Sequence, residues 1–158
     1  MKKNKLQIGK DLEVEKFIYG ITYEIWENKQ INSIYDYYEK DVIVRSPRNT
    51  TYKCKDVIDS TKNTLNQFPD RQLIGEDVIW SGDYKNGILS SHRILSTATH
   101  KGNGFYGKST GKNIRYRVIA DCFIMDDMVV EEWIVRDESA ILNQLGFTAK
   151  KFVEMKIK

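Results

Sequence analysis

The chain has 158 residues, 41% of them hydrophobic, 30% charged and 11% aromatic with only 2 Pro, which excludes a disordered or collagen-like polymer and predicts one globular unit. Its net charge of +3 sits at the ends, in Lys2, Lys3 and Lys5 and in Lys150, Lys151, Lys156 and Lys158 against Glu154, so the body between is net acidic. Without a basic folded face or an apolar run near the roughly 20 residues that span a bilayer, it is expected to be soluble and cytoplasmic, with no nucleic-acid and no membrane partner.

The chain reads as a flexible basic N-terminus over 1–10, a folded domain over 11–146 and a basic C-terminal tail over 147–158. Val14, Phe17, Ile18, Ile21 and Ile25 recur at helical spacing and predict a first helix, with Tyr23 and Trp26 beside the stripe. Ile31, Ile34, Tyr35 and Tyr38 predict a short second helix, and Asp41 to Arg45 a β stretch ending at Ser46-Pro47. A third helix runs from Lys55 to Gln67, where Pro69 stops the pattern. Beyond it the period falls to two, and 71–81, 85–100, 113–125 and 128–136 read as long antiparallel strands. Ile141 to Lys158 is read as a short closing helix with a basic tail, or as solvated tail throughout.

Helices first and strands afterwards predict an α+β domain in which three N-terminal helices cover one face of a curved antiparallel sheet. Strands of this length curl, and a curled sheet closed by helices is a cone with a blind pocket for a small hydrophobic or ring-shaped ligand. Cys54 and Cys122 lack metal or redox spacing and are expected as reduced buried thiols; no cofactor and no metal site is predicted.

If Asp126-Asp127 form a two-residue turn, Asp121 faces Glu132, Ile119 faces Ile134 and Arg117 faces Arg136, all on one face of the sheet. Two carboxylates placed opposite each other persist only if one holds a proton or an arginine neutralises them. The first case makes Asp121 a proton acceptor and Glu132 a donor; the second makes the four charges a structural network. The other face, with Val118, Cys122, Trp133 and Val135, is apolar and predicts a homodimer packed across it. His92, mid-strand, is an auxiliary base candidate, although a lone strand histidine is more often a core residue. Arg93, His100 and Phe123 are further lining candidates, while Tyr23, Trp26 and Tyr38 either stack on a ring-shaped ligand or are plain core. The glycine-rich loop from Thr99 to Lys112 joins two strands, so it reads as a mobile flap over the cone mouth and not as a phosphate cradle.

Phe68-Pro69-Asp70, Ser81-Gly82-Asp83, Arg93 before Thr99-His100, Ser109-Thr110-Gly111-Lys112, Glu131-Glu132-Trp133 and Gln144-Leu145-Gly146 occur in an order that resembles the SnoaL-like polyketide cyclases of the nuclear transport factor 2-like superfamily. The resemblance covers roughly 10–146 and implies a cystatin-like α+β barrel. It also implies cofactor-free acid/base chemistry of the cyclase or isomerase type on a small, largely apolar substrate. The cyclases' acid/base positions look like Asp121 and Glu132-Trp133-Ile134, where Ile134 replaces the usual Asp and carboxylates replace both histidines. The same superfamily implies two alternatives: a non-catalytic ligand-binding or dimerisation module, and an epoxide-hydrolase-like enzyme.

Overall fold

Six strands form one sheet in the order β2-β1-β6-β5-β4-β3. They are β1 (Tyr38–Arg45), β2 (Thr50–Thr51), β3 (Gln72–Asp83), β4 (Gly87–Thr99), β5 (Asn113–Met125) and β6 (Met128–Arg136). All neighbours are antiparallel except β1 and β6, which run parallel with Val44 beside Glu132. The computed structural model describes residues 5–9, 11 and 13–157; Lys2, Lys3 and Lys158, and with them part of the expected flexible N-terminus, lie outside the described residues.

Helix α1 (Val14–Thr22) buries Val14, Phe17, Ile18 and Ile21 and continues into a π-helical turn over Tyr23–Glu27. A 3₁₀ turn (Ile31–Ser33) leads into α2 (Ile34–Tyr37), and Tyr38, expected at the end of that helix, is already extended and opens β1. Helix α3 spans Cys54–Gln67. After β6, α4 (Glu138–Leu145) starts where the Asp137 carboxylate accepts from the Ala140 N–H at 2.9 Å and ends at Gly146, whose φ of 89° closes the helix. The segment expected as solvated tail carries helix α5 (Ala149–Ile157), whose Phe152 is buried against Phe105, Phe147 and Tyr106.

Alternation sets the two faces of the sheet. The even-numbered residues of β4 from Ile88 to Ala98 are buried, as are Ile114, Tyr116, Val118, Ala120, Cys122 and Ile124 of β5. Asp126 and Asp127, with φ of 50° and 59°, make the expected tight turn, and Met125 pairs with Met128 and Ile124 with Val129. The ladder then slips at a β-bulge: Val130 has no partner, Phe123 pairs with Glu131, and Cys122 pairs with Glu132. One extra residue reverses every side chain beyond it, so Asp121 faces Trp133, Ala120 faces Ile134 and Val118 faces Arg136. The expected facing pairs Asp121/Glu132, Ile119/Ile134 and Arg117/Arg136 therefore do not form.

No helix among the described residues is long and apolar enough to cross a membrane. Cys54 and Cys122 are both buried and free.

Candidate active site

Three rungs of the ladder build the site. Ser90, Cys122 and Glu132 share one rung, His92, Ala120 and Ile134 the next, and Ile94, Val118 and Arg136 the third. All of these except Ser90 line a cavity of about 550 Å³ closed by Ile18, Ile21 and Trp26 from the first helical segment, by Thr61 and Gln67 from α3, and by Phe105. A volume of this order holds a drug-sized molecule. The π-helical turn, which adds a residue to the helical repeat, carries Ile25 and Trp26 to the cavity wall.

Glu132 is the one carboxylate among the described cavity-lining residues. Burial pushes its carboxyl up to about 7, against the opposing pull of hydrogen bonds from Tyr38 and Cys122 and of the Arg136 charge. The Tyr38 hydroxyl donates to Oε2 at 3.4 Å and the Cys122 thiol to Oε1 at 3.8 Å. Burial, then the charge of Glu132, raises the Tyr38 phenol well above its ordinary range, so it stays a neutral donor. A carboxyl poised near 7 populates both protonation states at neutral pH, which is the requirement for taking a proton and giving it back.

His92 also lines the cavity, and burial lowers its imidazole to about 4, leaving it neutral. Its Nε2 has no hydrogen-bond partner among the described residues and lies against β3, where a Cβ on Gly75 would approach it to 2.8 Å. The Tyr19 ring stands edge-on to the imidazole at 5.3 Å. This nitrogen is thus enclosed by the wall.

Among the residues expected at the site, the cavity collects Glu132, His92, Trp26, Tyr38, Ile134 and Arg136. Asp121 is not among them: it stands opposite Trp133 on the outer face of the sheet, where its Oδ1 is buried without a partner. Arg117 grips Glu76 through two hydrogen bonds of 3.0 Å, and Arg93 sits 3.3 Å from Glu76 and 3.6 Å from Asp77, both on that outer face. Ile119 and Phe123 share the parity of Asp121 and face outward with it. Tyr23 is exposed. His100 is buried beside the cavity and not in it, with its ring 5.2 Å from Phe68 and Nδ1 3.2 Å from Thr110 Oγ1. The face expected to pack a dimer is divided likewise: Val118 and Cys122 point into the cavity, Trp133 and Val135 away from it.

Arg71 and Arg48 also line the cavity and were not anticipated. Arg71 lies just before β3, two residues from the buried Leu73, and with the equally apolar Ile74 exposed next to Leu73 the sequence does not mark its side. Arg48 reaches the wall from a loop after Pro47, and no pattern marks it.

The loop after β4 is fastened to α3 and does not have the form of a free flap. The N–H groups of Lys101 and Gly102 both donate to the Gln67 carbonyl at 3.0 Å, and the Tyr106 N–H donates to Gln67 Oε1 at 3.3 Å.

Known structures share this architecture. IdmH, a polyketide cyclase candidate from Streptomyces antibioticus, is 19% identical, with 85% of this chain and 99% of that one covered at a TM-score of 0.71. AclR, a hydroxylase candidate from Streptomyces galilaeus, is 23% identical over 84% of this chain and 96% of that one, at a TM-score of 0.70. A polyketide cyclase candidate from Acidithiobacillus ferrooxidans is 19% identical over 89% and 97%, at 0.72. At these identities the likeness is one of fold. No curated protein sequence matches the chain. The family model for SnoaL-like polyketide cyclases matches residues 16–145, which contain all six strands and most of the first helix through α4, and the chain belongs to that family.

Proposed function

We propose that the chain is a cofactor-free acid/base enzyme of the cyclase or isomerase type, with Glu132 carrying the proton and a small, largely apolar, ring-shaped substrate filling the cavity. The observation behind this reading is a lone buried carboxyl held near 7 on the wall of an open cavity of about 550 Å³. As a carboxylate, Glu132 takes a proton from a carbon beside a carbonyl; as a carboxylic acid, it returns that proton to carbon or oxygen after the bonds have shifted. Tyr38 orients the carboxyl, and Ile18, Ile21 and Ile134 give the same cavity its apolar wall.

The non-catalytic binding or dimerisation module predicts a narrow or plugged cone or a fully salt-bridged wall, whereas Glu132 has no cation within ion-pair distance among the described residues. The epoxide-hydrolase alternative asks for paired carboxylates, and Asp121 is on the wrong side of the sheet to supply the second. The test is proton exchange. 2-Tetralone incubated with the protein in D₂O should lose its α-protons faster than in buffer, followed by NMR, and exchange at the buffer rate would remove the catalytic reading.

We further propose that a second copy packs on the outer face, where Ile79, Leu89, Trp133 and Val135 are exposed. Sedimentation at micromolar concentration should give twice the chain's mass. A monomeric mass, or a dimer unaffected by Trp133→Lys, would dismiss this arrangement.

A further inference from the structure

The end of the cavity opposite Glu132 is lined by three guanidinium groups, those of Arg48, Arg71 and Arg136. Glu138 is the acidic group that answers them: Arg48 Nε lies 3.1 Å from its Oε1 and Arg136 Nε 3.7 Å, while Tyr106 donates to Oε2 at 2.6 Å. Arg71 is left out of that arrangement. It is only 5% exposed, its Nε donates to Ser96 Oγ at 3.1 Å, and its guanidinium stacks over Trp26 at 4.6 Å. No carboxylate of the described residues pairs with it. The Arg136 Nε, also buried, makes no hydrogen bond among the described residues. A buried guanidinium without an anion is costly, and Arg71 is such a group, while Arg136 has Glu138 only at 3.7 Å, beyond hydrogen-bond reach.

We propose that the substrate is a carboxylic acid, its carboxylate docked on Arg71 and Arg136 and its apolar body running past Ile134 to Glu132. This deepens the acid/base reading above and rests on it for the role of Glu132. Two features select a carboxylate. The guanidinium fork matches its two oxygens, and a single anion is what Arg71 lacks once Glu138 has engaged Arg48. Arg136 follows Glu132 by four residues along β6, a backbone span of about 13 Å, so the two groups address different parts of one substrate. A substrate still esterified or thioesterified at this end would leave Arg71 unanswered, so the reaction that supplies the substrate is one that frees the acid, such as hydrolysis of an acyl ester.

The experiment is calorimetric titration with 2-naphthaleneacetate, its methyl ester and 2-naphthyl phosphate. The acid should bind at least about tenfold tighter than the ester, a gap of about 1.4 kcal/mol. Arg71→Met should bring the acid to the affinity of the ester and leave the ester unchanged. Arg136→Met, at a partly exposed position, should reduce the preference in the same direction and decides the matter if Arg71→Met fails to fold. Equal binding of acid and ester, tighter binding of the phosphate, or equal weakening of acid and ester by Arg71→Met would overturn the proposal. Binding is measured without turnover, so the two readings fail separately. A protein that prefers the acid but exchanges no tetralone protons retains the anion site and loses the catalysis; exchange without acid preference does the reverse.

Discussion

Glu132→Gln should abolish proton exchange and, in alkaline solution, make the folded protein more stable than the parent. The first effect follows from removal of the group proposed to carry the proton, which for a positioned acid/base costs roughly 10²- to 10⁴-fold in rate. The second follows from linkage. The Glu132 carboxyl has an ordinary value of 4.5 and is held at about 7 in the fold, so between those values the native chain binds a proton that the unfolded chain has released. Stability from this group is fully present below 4.5, falls as pH rises to about 7 and stays low above it, by an amount on the order of 3 kcal/mol. Glutamine cannot ionise and loses none of it.

His92 has the opposite sign. Its imidazole is lowered from 6.5 to about 4, so its contribution is present above 6.5 and is lost as pH falls toward 4. The two slopes oppose each other between 4.5 and 6.5. Urea titrations across that range should show a nearly level profile for the parent, stability rising with pH for Glu132→Gln and falling for His92→Gln. Parallel profiles in the two variants would show that neither group is buried as described.

The largest loss of stability from a single methyl group is expected at Gly102. A Cβ there would overlap the Asn66 carbonyl oxygen, which is backbone at the end of α3 and has no rotamer to retreat into. Gly102→Ala should therefore push the 99–112 loop off the helix, with a cost of about 3 kcal/mol and a melting temperature lower by roughly 10 °C. Gly111→Ala is the control, since a Cβ meets nothing within 4 Å there and carries only the strain of a φ of 68°. That variant should cost about 1 kcal/mol. If the two cost the same, the contact with Asn66 is not what holds the loop. Because Asn103 and Phe105 line the cavity, Gly102→Ala should also weaken ligand binding, which Gly111→Ala should not.

Much of the architecture was legible because the change of period after Pro69 is abrupt. The last two strands fall where the alternation places them, at Asn113–Met125 and Met128–Arg136. The wall of the site was misread for two separate reasons. Pairing from a two-residue turn carries no sign of the bulge at Val130, since an extra residue in a strand is still β-branched and apolar. The choice of face was a different matter. Val118, Ala120, Cys122 and their even-numbered neighbours form an unbroken apolar row, while the odd row holds Arg115, Arg117 and Asp121, so burial favours the even row inside. Helix α5 was hidden by its lysines, because its docking depends on the single ring of Phe152 meeting aromatics distant in sequence.

The parallel pairing of β1 with β6 sets an order of assembly. The earliest strand to leave the ribosome waits for the last before its open edge is covered, and Ile8 likewise waits for Asp127, which accepts its N–H at 2.8 Å. Contacts of such long sequence separation are made late and slowly. Val44 and Glu132, neighbours across this seam, come together only when it closes, so the stretch of cavity wall that carries Glu132 is complete only once the chain's two distant ends have met.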